Sequence, residues 1–382
     1  MYSVSGYGQM IADSIRMNAY VEALRQSVNP GSVVLDIGTG TGICALLACQ
    51  LGARRVYAIE TSDAIQVARE IAAANSYADR IEFIQELSTK IELPERADVI
   101  VSDLRGVLPF LGHHFASIAD ARLRFLAPGG VLIPQQDTMW AAVVSAPELH
   151  HPFTAPWEQH NHGFNMQVAR KLVLNTWGKG RVTPEQLLTE PQSWARLDYT
   201  TLTETNVSAD MNWQAAQAGE AHGLLVWFDT VLVPGVGFSN APGGSATVYS
   251  SSFFPFLEPV DLKIGDDVKI QIKADLVGDD YLWSWNTLVK AGDGAGAIKA
   301  NFKQSTFFGA ALSPKQLRKQ ADNYVPRLNE DGLLDQFILS QMSGEKTHGE
   351  IARLTAEQYP HRFQDWRAAL THIAKLANQY SD

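Results

Sequence analysis

Cysteine, positive charge and long apolar runs are all scarce in this sequence, and each scarcity argues against a class of protein. Cysteine occurs twice among 382 residues, at positions 44 and 49, so we expect neither a disulfide nor a metal site. Lys and Arg total 31 against 41 Asp and Glu, and the net charge of −10 argues against a nucleic-acid surface. No apolar run approaches the roughly 20 residues of a membrane helix, and the first residues lack the layout of a signal peptide. We therefore expect a cytoplasmic protein that binds neither nucleic acid nor membranes.

Hydrophobic residues are plentiful, at 46% of the chain, and their pattern divides it into parts. Residues 31–134 alternate strands with helices, which predicts an α/β Rossmann-like domain with a mostly parallel sheet. Residues 135–310 carry short alternating runs separated by turn residues, which predicts an antiparallel β domain, either a sandwich or a barrel. A helix is predicted over residues 8–28 within an N-terminal segment 1–30, and a helical unit over residues 311–382.

A glycine-rich turn after the first predicted strand is the strongest local signal. Asp36 ends an apolar strand, and Gly38, Gly40 and Gly42 follow at alternate positions, where they let the backbone approach a ligand. A predicted helix begins next, so its N-terminus faces the same ligand. Glu60 ends the second strand, 18 residues after Gly42, where an acid meets a ribose diol. These features predict a nucleoside-binding crevice.

The spacing of these glycines resembles the first motif of class I S-adenosylmethionine-dependent methyltransferases. Over residues 1–310 the order of parts is similar to that of a protein arginine methyltransferase, with a β-barrel after the Rossmann-like core. An N-terminal M-x-x-D-x-x-R-x-x-x-Y motif also matches, from Met10 to Tyr20. The resemblance implies S-adenosylmethionine as methyl donor, with Arg16 on its carboxylate. The cofactor-binding residues that we predict are Met10, Arg16, Asp36, Gly38, Gly40, Glu60, Glu86 and Ser88.

The departures from the resembled family fall on the methyl acceptor site. That family holds a guanidinium between two glutamates of one loop, which here is SDLRGVLPFLG, called loop 102–112 below. Asp103 stands at the first glutamate and Gly112 at the second. The family's Thr-His-Trp loop is Thr247-Val248-Tyr249 here, and Thr89 replaces an adenine-contacting glutamate, for which Glu86 is close enough to substitute.

These departures lead to three catalytic candidates and three functional alternatives. Asp103 is the predicted base or orienting acid, with His113 behind it. Arg105 replaces a methionine, and we expect it to face the acceptor and to bind an acceptor carboxylate. The main hypothesis is methyl transfer to nitrogen or oxygen of a non-standard acceptor, such as an amino acid, a peptide or another small molecule. The alternatives are genuine arginine N-methylation with an atypical acceptor site and a catalytically silent scaffold that binds S-adenosylmethionine.

The resemblance also implies a homodimer. The sequence WEQHNHGFNM at residues 157–166 is similar to the opening of the family's dimerisation arm, which we expect over about residues 150–185. Twofold pairing is also the commonest oligomeric form of soluble proteins. We therefore expect this arm to pack on the methyltransferase core of a second copy.

Overall fold

The computed structural model describes residues 3–159, 161–292 and 296–381, and it divides into two compact units. Unit 1 comprises Met1–Ala310 and unit 2 comprises Ala311–Asp382. Within the described residues, no helix combines the length and the apolar character that a membrane span requires. In the same ranges, no three His, Cys, Asp or Glu side chains converge as metal ligands would.

Two helices open unit 1, where the sequence pattern predicted one. These are α1 (Val4–Ala12) and α2 (Ser14–Ser27). The break falls at Asp13, whose side chain accepts a hydrogen bond from the backbone N–H of Arg16 at 3.1 Å and so caps α2. The other Asp13 oxygen accepts from the backbone N–H of Val248 at 2.7 Å, which ties the break to the β domain. The single predicted helix is wrong because the capping bond stabilises an extended residue there.

The alternation predicted for residues 31–134 forms a parallel sheet. Its elements are β1 (Val33–Ile37), α3 (Ile43–Gln50), β2 (Arg55–Ile59), α4 (Ala64–Ala74), β3 (Ile81–Ile84), β4 (Ala97–Ser102), α5 (His114–Arg124) and β5 (Leu126–Ile133). The strand order is β3-β2-β1-β4-β5, with neighbours parallel throughout. Strand order reverses between β1 and β4, and ligands of such sheets bind where their carboxyl ends separate. Here those ends lead into the glycine turn and into loop 102–112.

The antiparallel domain predicted after Pro134 consists of two sheets and three α-helices among the described residues. Its elements are β6 (Gln136–Val144), α6 (Pro147–Glu158), α7 (Gln167–Val173), β7 (Gly178–Gly180), β8 (Gln192–Asp198), β9 (Val207–Gln214), β10 (Gly219–Val233), β11 (Val236–Ser239), β12 (Ser251–Leu262), β13 (Asp267–Val277), β14 (Asp280–Lys290), β15 (Ile298–Ser305) and α8 (Thr306–Gly309). One sheet has six strands and the other has four, in the order β15-β14-β13-β9. A continuous hydrophobic core joins this barrel-like domain to the parallel sheet.

Unit 2 is helical over its described residues, as the periodicity of its apolar residues predicted. Its helices are α9 (Pro314–Gln320), α10 (Glu330–Gln341), α11 (His348–Gln358) and α12 (Trp366–Tyr380). Buried Leu334, Ile338, Ile351 and Ile373 form a core of its own. Helix α11 begins with a reciprocal cap between Thr347 and Glu350.

Candidate active site

The glycine turn has a shape that only glycine accommodates. Gly38, Gly40 and Gly42 have φ of +73°, +55° and +90°, in the left-handed region. A Cβ atom at Gly38 would lie 2.4 Å from the side chain of Leu104. One at Gly40 would lie 2.4 Å from the ring of Tyr7, on α1. Side chains of α1 and of loop 102–112 therefore pack directly against the backbone of the turn.

Asp36 stabilises the conformation of this turn. Its Oδ2 accepts from the Thr39 hydroxyl at 2.6 Å and from the backbone N–H of Ala45, in the first turn of α3, at 3.0 Å. Burial raises the pKa of Asp36 to about 6, although both hydrogen bonds oppose the rise. One oxygen is thus committed to the fold of the turn, while the residue as a whole borders the cavity described next.

Two adjoining cavities lie above the turn. The first, of about 400 Å³, is bordered by Met10, Arg16, Asp36, Gly38 and Glu60 among others. The second, of about 320 Å³, shares Gly38 and Glu60 with the first and also contains Glu86 and Ser88. The cofactor-binding residues predicted from the sequence thus border these two adjoining cavities, except Gly40, whose Cα packs against the ring of Tyr7.

Glu60 stands where the two cavities meet. Its Oε2 accepts from the backbone N–H of Gly40 at 3.1 Å and its Oε1 accepts from that of Ser62 at 2.9 Å. Each carboxylate oxygen keeps a further acceptor position, which suits the two hydroxyls of a ribose. The residues that border the two cavities fit S-adenosylmethionine, and Arg16, Glu60 and Glu86 are the charged groups that would hold it. When bound, this cofactor supplies a methyl group on a cationic sulfur.

Arg16 is buried, and its guanidinium contacts the acceptor loop. Its Nε and Nη2 both lie 2.6 Å from Oδ2 of Asp103, and Nε also donates to the Tyr249 hydroxyl at 3.1 Å. Its Nη1 donates to the backbone carbonyl of Met10 at 3.2 Å. Arg16 therefore links the helix that covers the donor cavity to the loop that carries Asp103.

Arg105 points inward, but its partners are not those expected. Its side chain is fully buried, and Nη1 donates to Asp137 at 3.0 Å and to Thr230 at 2.8 Å. Nε donates to Oδ1 of Asp103 at 3.1 Å, and Nη2 donates to the Tyr20 hydroxyl at 2.6 Å. The expectation that Arg105 binds an acceptor carboxylate is wrong for this arrangement, because two internal carboxylates already neutralise it.

Asp103 is the shared carboxylate of this network. Burial disfavours its ionisation, but the guanidinium groups of Arg16 and Arg105 outweigh that effect and lower its pKa to about 2. The Tyr249 hydroxyl donates to the same carboxylate. Asp103 is therefore ionised at neutral pH, which makes it an orienting group more than a proton acceptor.

The sequence interpretation missed Asp137 as a functional residue. It is fully buried on β6, where its other oxygen accepts from the Tyr199 hydroxyl at 2.7 Å. A signal was present, because Asp137 shares the alternation of Met139 and Ala141, which face the core. A charge at a core position of a strand demands a buried partner, and here the partner is Arg105.

The structure separates His113 from Asp103. His113 is half exposed, lies 2.8 Å from Oδ1 of Asp279 and borders the second cavity instead of the first. The prediction of His113 as a base behind Asp103 is therefore corrected. Its neighbour His114 is buried, and burial lowers its pKa to about 3, so it is neutral.

Comparison with known proteins matches both domains of unit 1. A model of ribosomal protein L11 methyltransferase (PrmA) matches residues 18–142, and one of the arginine methyltransferase oligomerization subdomain matches residues 135–285. The protein arginine N-methyltransferase PRMT10 of Oryza sativa subsp. japonica is 30% identical over 305 residues, which cover 69% of this chain and 78% of the relative. A probable protein arginine N-methyltransferase 6 of Arabidopsis thaliana is 31% identical, and the match covers 64% of this chain and 58% of that relative.

Solved structures show the same fold. The structure of Arabidopsis thaliana protein arginine methyltransferase 10 aligns with a TM-score of 0.71 at 24% identity, covering 79% of this chain and 97% of that one. A Trypanosoma brucei PRMT1 enzyme-prozyme complex with AdoHcy aligns with a TM-score of 0.70 at 23% identity, covering 78% of this chain and 96% of that one.

The parallel sheet, the glycine turn and the paired cavities define a class I S-adenosylmethionine-dependent methyltransferase. Within that class, the barrel-like domain and the relatives above decide the family. The chain belongs to the protein arginine methyltransferases.

Proposed function

We propose that this protein transfers the methyl group of S-adenosylmethionine to a nitrogen of an arginine side chain in a peptide or protein. The observation that supports this acceptor is the chemistry of Asp103, which borders the donor cavity and already binds two guanidinium groups. Its Oδ1 accepts only from Arg105 among the described residues, so one acceptor position remains for a third guanidinium. The family to which the chain belongs supports the same acceptor.

In this proposal the residues of the site position the acceptor guanidinium for methyl transfer. A guanidinium keeps its charge at neutral pH, and an ionised carboxylate orients it so that one nitrogen points along the line of transfer. The donor sulfur leaves as the neutral thioether of S-adenosylhomocysteine and needs no acid, and the nitrogen that gains the methyl group releases one proton to solvent. The low pKa of Asp103 suits this role, since the carboxylate stays ionised while it orients the acceptor.

The test is methyl transfer to a peptide with one arginine, compared with the same peptide carrying lysine. We expect a mass gain of one methyl group on the arginine peptide only, with stoichiometric formation of S-adenosylhomocysteine. Asp103→Asn is expected to reduce the rate by about 100-fold, because losing one preorganised charged contact has that order of effect. Asp210→Asn, on β9 of the four-stranded sheet, is the matched control, because Asp210 borders neither donor-site cavity. An arginine peptide that stays unmodified under donor turnover contradicts the proposal.

A second candidate acceptor is the amino acid, peptide or other small molecule predicted from the sequence, bound without a contact to Arg105. The observation that favours it is the saturation of Asp103 Oδ2, which accepts from Arg16 and Tyr249, together with the absence of a side chain at Gly112. A single remaining acceptor position holds an amine or hydroxyl as readily as a guanidinium. Mass-shift screening of amino acids and of peptides without arginine distinguishes the two candidates.

We also propose a homodimer built through the helices α6 and α7. They lie within the segment similar to the arginine methyltransferase oligomerization subdomain. In the loop between them, Phe164 is 71% exposed, and on α7 Val168 is 77% exposed. Apolar side chains exposed to this extent on neighbouring elements suit burial by a second copy. The predicted arm also includes His160, which lies outside the described residues.

A further inference from the structure

A third cavity, of about 300 Å³, is bordered by residues 106–108, 110 and 111 of loop 102–112 and by aromatic side chains of the barrel-like domain. None of the site residues described above borders it. Phe110, Trp177, Tyr281 and Trp283 form much of its wall, and we call it the aromatic cavity.

The walls of the aromatic cavity are preformed. The ring of Phe110 packs edge-on against Tyr281 and Trp283, with centroids 5.3 Å and 5.1 Å apart. All three side chains are less than one tenth exposed. Trp177 is partly exposed and stacks on Phe254 with centroids 6.0 Å apart. A ligand therefore meets fixed aromatic surfaces and does not have to order them on binding.

Among the described residues that border the aromatic cavity, the one charged side chain is a carboxylate. Asp280 is exposed and ionisable, and none of the described residues that border the cavity is basic. The other polar side chains are already bonded. The Tyr281 hydroxyl donates to the Thr205 carbonyl at 2.8 Å, and the Thr306 hydroxyl accepts from the backbone N–H of Trp283 at 3.0 Å. The Asp280 Oδ1 accepts from the backbone N–H of Tyr281 at 3.0 Å, and its Oδ2 accepts from none of the described residues. Aromatic rings with one carboxylate attract a cation more than a neutral apolar ligand.

Loop 102–112 connects this cavity to the donor cavity. Leu111 borders both, and Asp103 and Arg105 precede the loop residues that border the aromatic cavity. Leu111 is 45% exposed, so this shared residue is accessible from solvent. An extended peptide with one side chain at Asp103 therefore has a route for a neighbouring side chain into the aromatic cavity.

We propose that the aromatic cavity binds a second cationic side chain, lysine or arginine, of the same acceptor peptide. The inference rests on the proposed function for the first side chain and adds the substrate class, a peptide with two basic residues. The aromatic rings contact the aliphatic stem and the charged end, and Asp280 pairs with the charge at the rim. Asp280 thereby acts as a specificity-determining residue of the transfer reaction.

The experiment measures binding of dye-labelled peptides by fluorescence anisotropy in the full chain with S-adenosylhomocysteine present. Each peptide carries one arginine, and at varied spacing a second position holds lysine, arginine or the neutral norleucine. We expect the second cation to strengthen binding by about tenfold at one preferred spacing, the order of a partly desolvated cation–aromatic contact with an ion pair. Asp280→Asn is expected to remove most of this gain, and Trp177→Leu a similar part.

The matched control is Asp279→Asn, which removes the same charge from the adjacent residue, whose contact with His113 lies outside the cavity. We expect it to keep the gain. Equal losses in Asp279→Asn and Asp280→Asn mean general attraction by negative charge and overturn the proposal, as does equal affinity for the cationic and norleucine peptides. Failure of the proposed function gives a different result, in which the second cation strengthens binding but no methyl group is transferred. Methylation of the singly basic peptide without any gain from a second cation overturns this inference alone.

Discussion

At the scale of single residues, Glu60 has two tasks, and Glu60→Gln weakens both. Its carboxylate accepts from the backbone of the glycine turn and faces the place assigned to the ribose hydroxyls. Glu60→Gln keeps the shape and one acceptor oxygen, but it loses the charge and turns an amide N–H group towards the backbone N–H of either Gly40 or Ser62. We expect donor affinity to fall by about tenfold, or about 1.4 kcal/mol, because hydrogen bonds to a charged group contribute about 1.5–3 kcal/mol.

Isothermal titration calorimetry with S-adenosylhomocysteine measures this loss. Glu82→Gln is the control, since Glu82 lies on β3 and pairs with Arg55 away from both cavities. Unchanged affinity in Glu60→Gln means that the ribose is not held here.

His114 gives a prediction about pH. Burial lowers its pKa to about 3, against about 6.5 in an unfolded chain, so the unfolded state binds the proton first. The free energy of unfolding therefore falls as pH drops below about 6.5 and continues to fall towards about pH 3. The expected contribution is roughly 1 kcal/mol per pH unit.

His114→Phe removes that contribution while keeping an aromatic ring against Phe115 and Tyr199. Denaturant unfolding at about pH 7 and about pH 5 compares the two proteins, and groups common to both cancel in the difference. We expect the variant to lose less stability between the two pH values. Parallel losses in the two proteins contradict the assignment of a buried neutral histidine.

At the scale of elements, the arm of α6 and α7 leads to a prediction about assembly. Phe164→Asp places a charge on the apolar surface that we assign to the dimer contact, and burying an unpaired charge disfavours association strongly. We expect light scattering to show a dimer for the wild type and a monomer for this variant.

Val325→Asp is the control for that experiment, because Val325 is 78% exposed and lies in unit 2. It is expected to remain dimeric. A wild-type mass of 41.9 kDa at working concentration rules out the proposed dimer.

The elements also show what the sequence could and could not predict. The first strand is predicted to end at Asp36, one residue before the observed end of β1, and a helix is predicted directly after Gly42, where α3 begins. These features follow from apolar patterning and glycine spacing within a short stretch of chain. The cap at Asp13 was missed, since it depends on a bond from Arg16 three residues later that competes with helix continuation.

Contacts between residues far apart in the sequence explain why the partners of Arg105 differ from those predicted. Arg105 meets Asp137 from β6 and Thr230 from β10, residues 32 and 125 positions away. The residue pattern within loop 102–112 does not indicate these partners. The inward direction of Arg105 was expected, whereas its neutralisation required the packing of the barrel-like domain against the parallel sheet.

At the scale of the whole molecule, the two units have separate cores and are expected to fold separately. The core of unit 2 consists of its own helices, whereas one continuous core runs through the parallel sheet and the barrel-like domain of unit 1. The described residues of both donor-site cavities also belong to unit 1. A chain ending at Ala310 therefore retains every group that we assign to the donor.

We expect this shortened chain to bind S-adenosylhomocysteine within about twofold of the full chain, because no donor contact is removed. Calorimetry measures the affinity, and thermal unfolding checks that the shortened chain melts cooperatively. A second shortened chain, which begins at Asp13, lacks α1 and therefore Tyr7 and Met10 of the donor cavity. It is expected to bind the donor more than tenfold more weakly. Loss of donor binding on removal of unit 2 would instead mean that residues beyond Ala310 complete the donor site, contrary to the arrangement derived above.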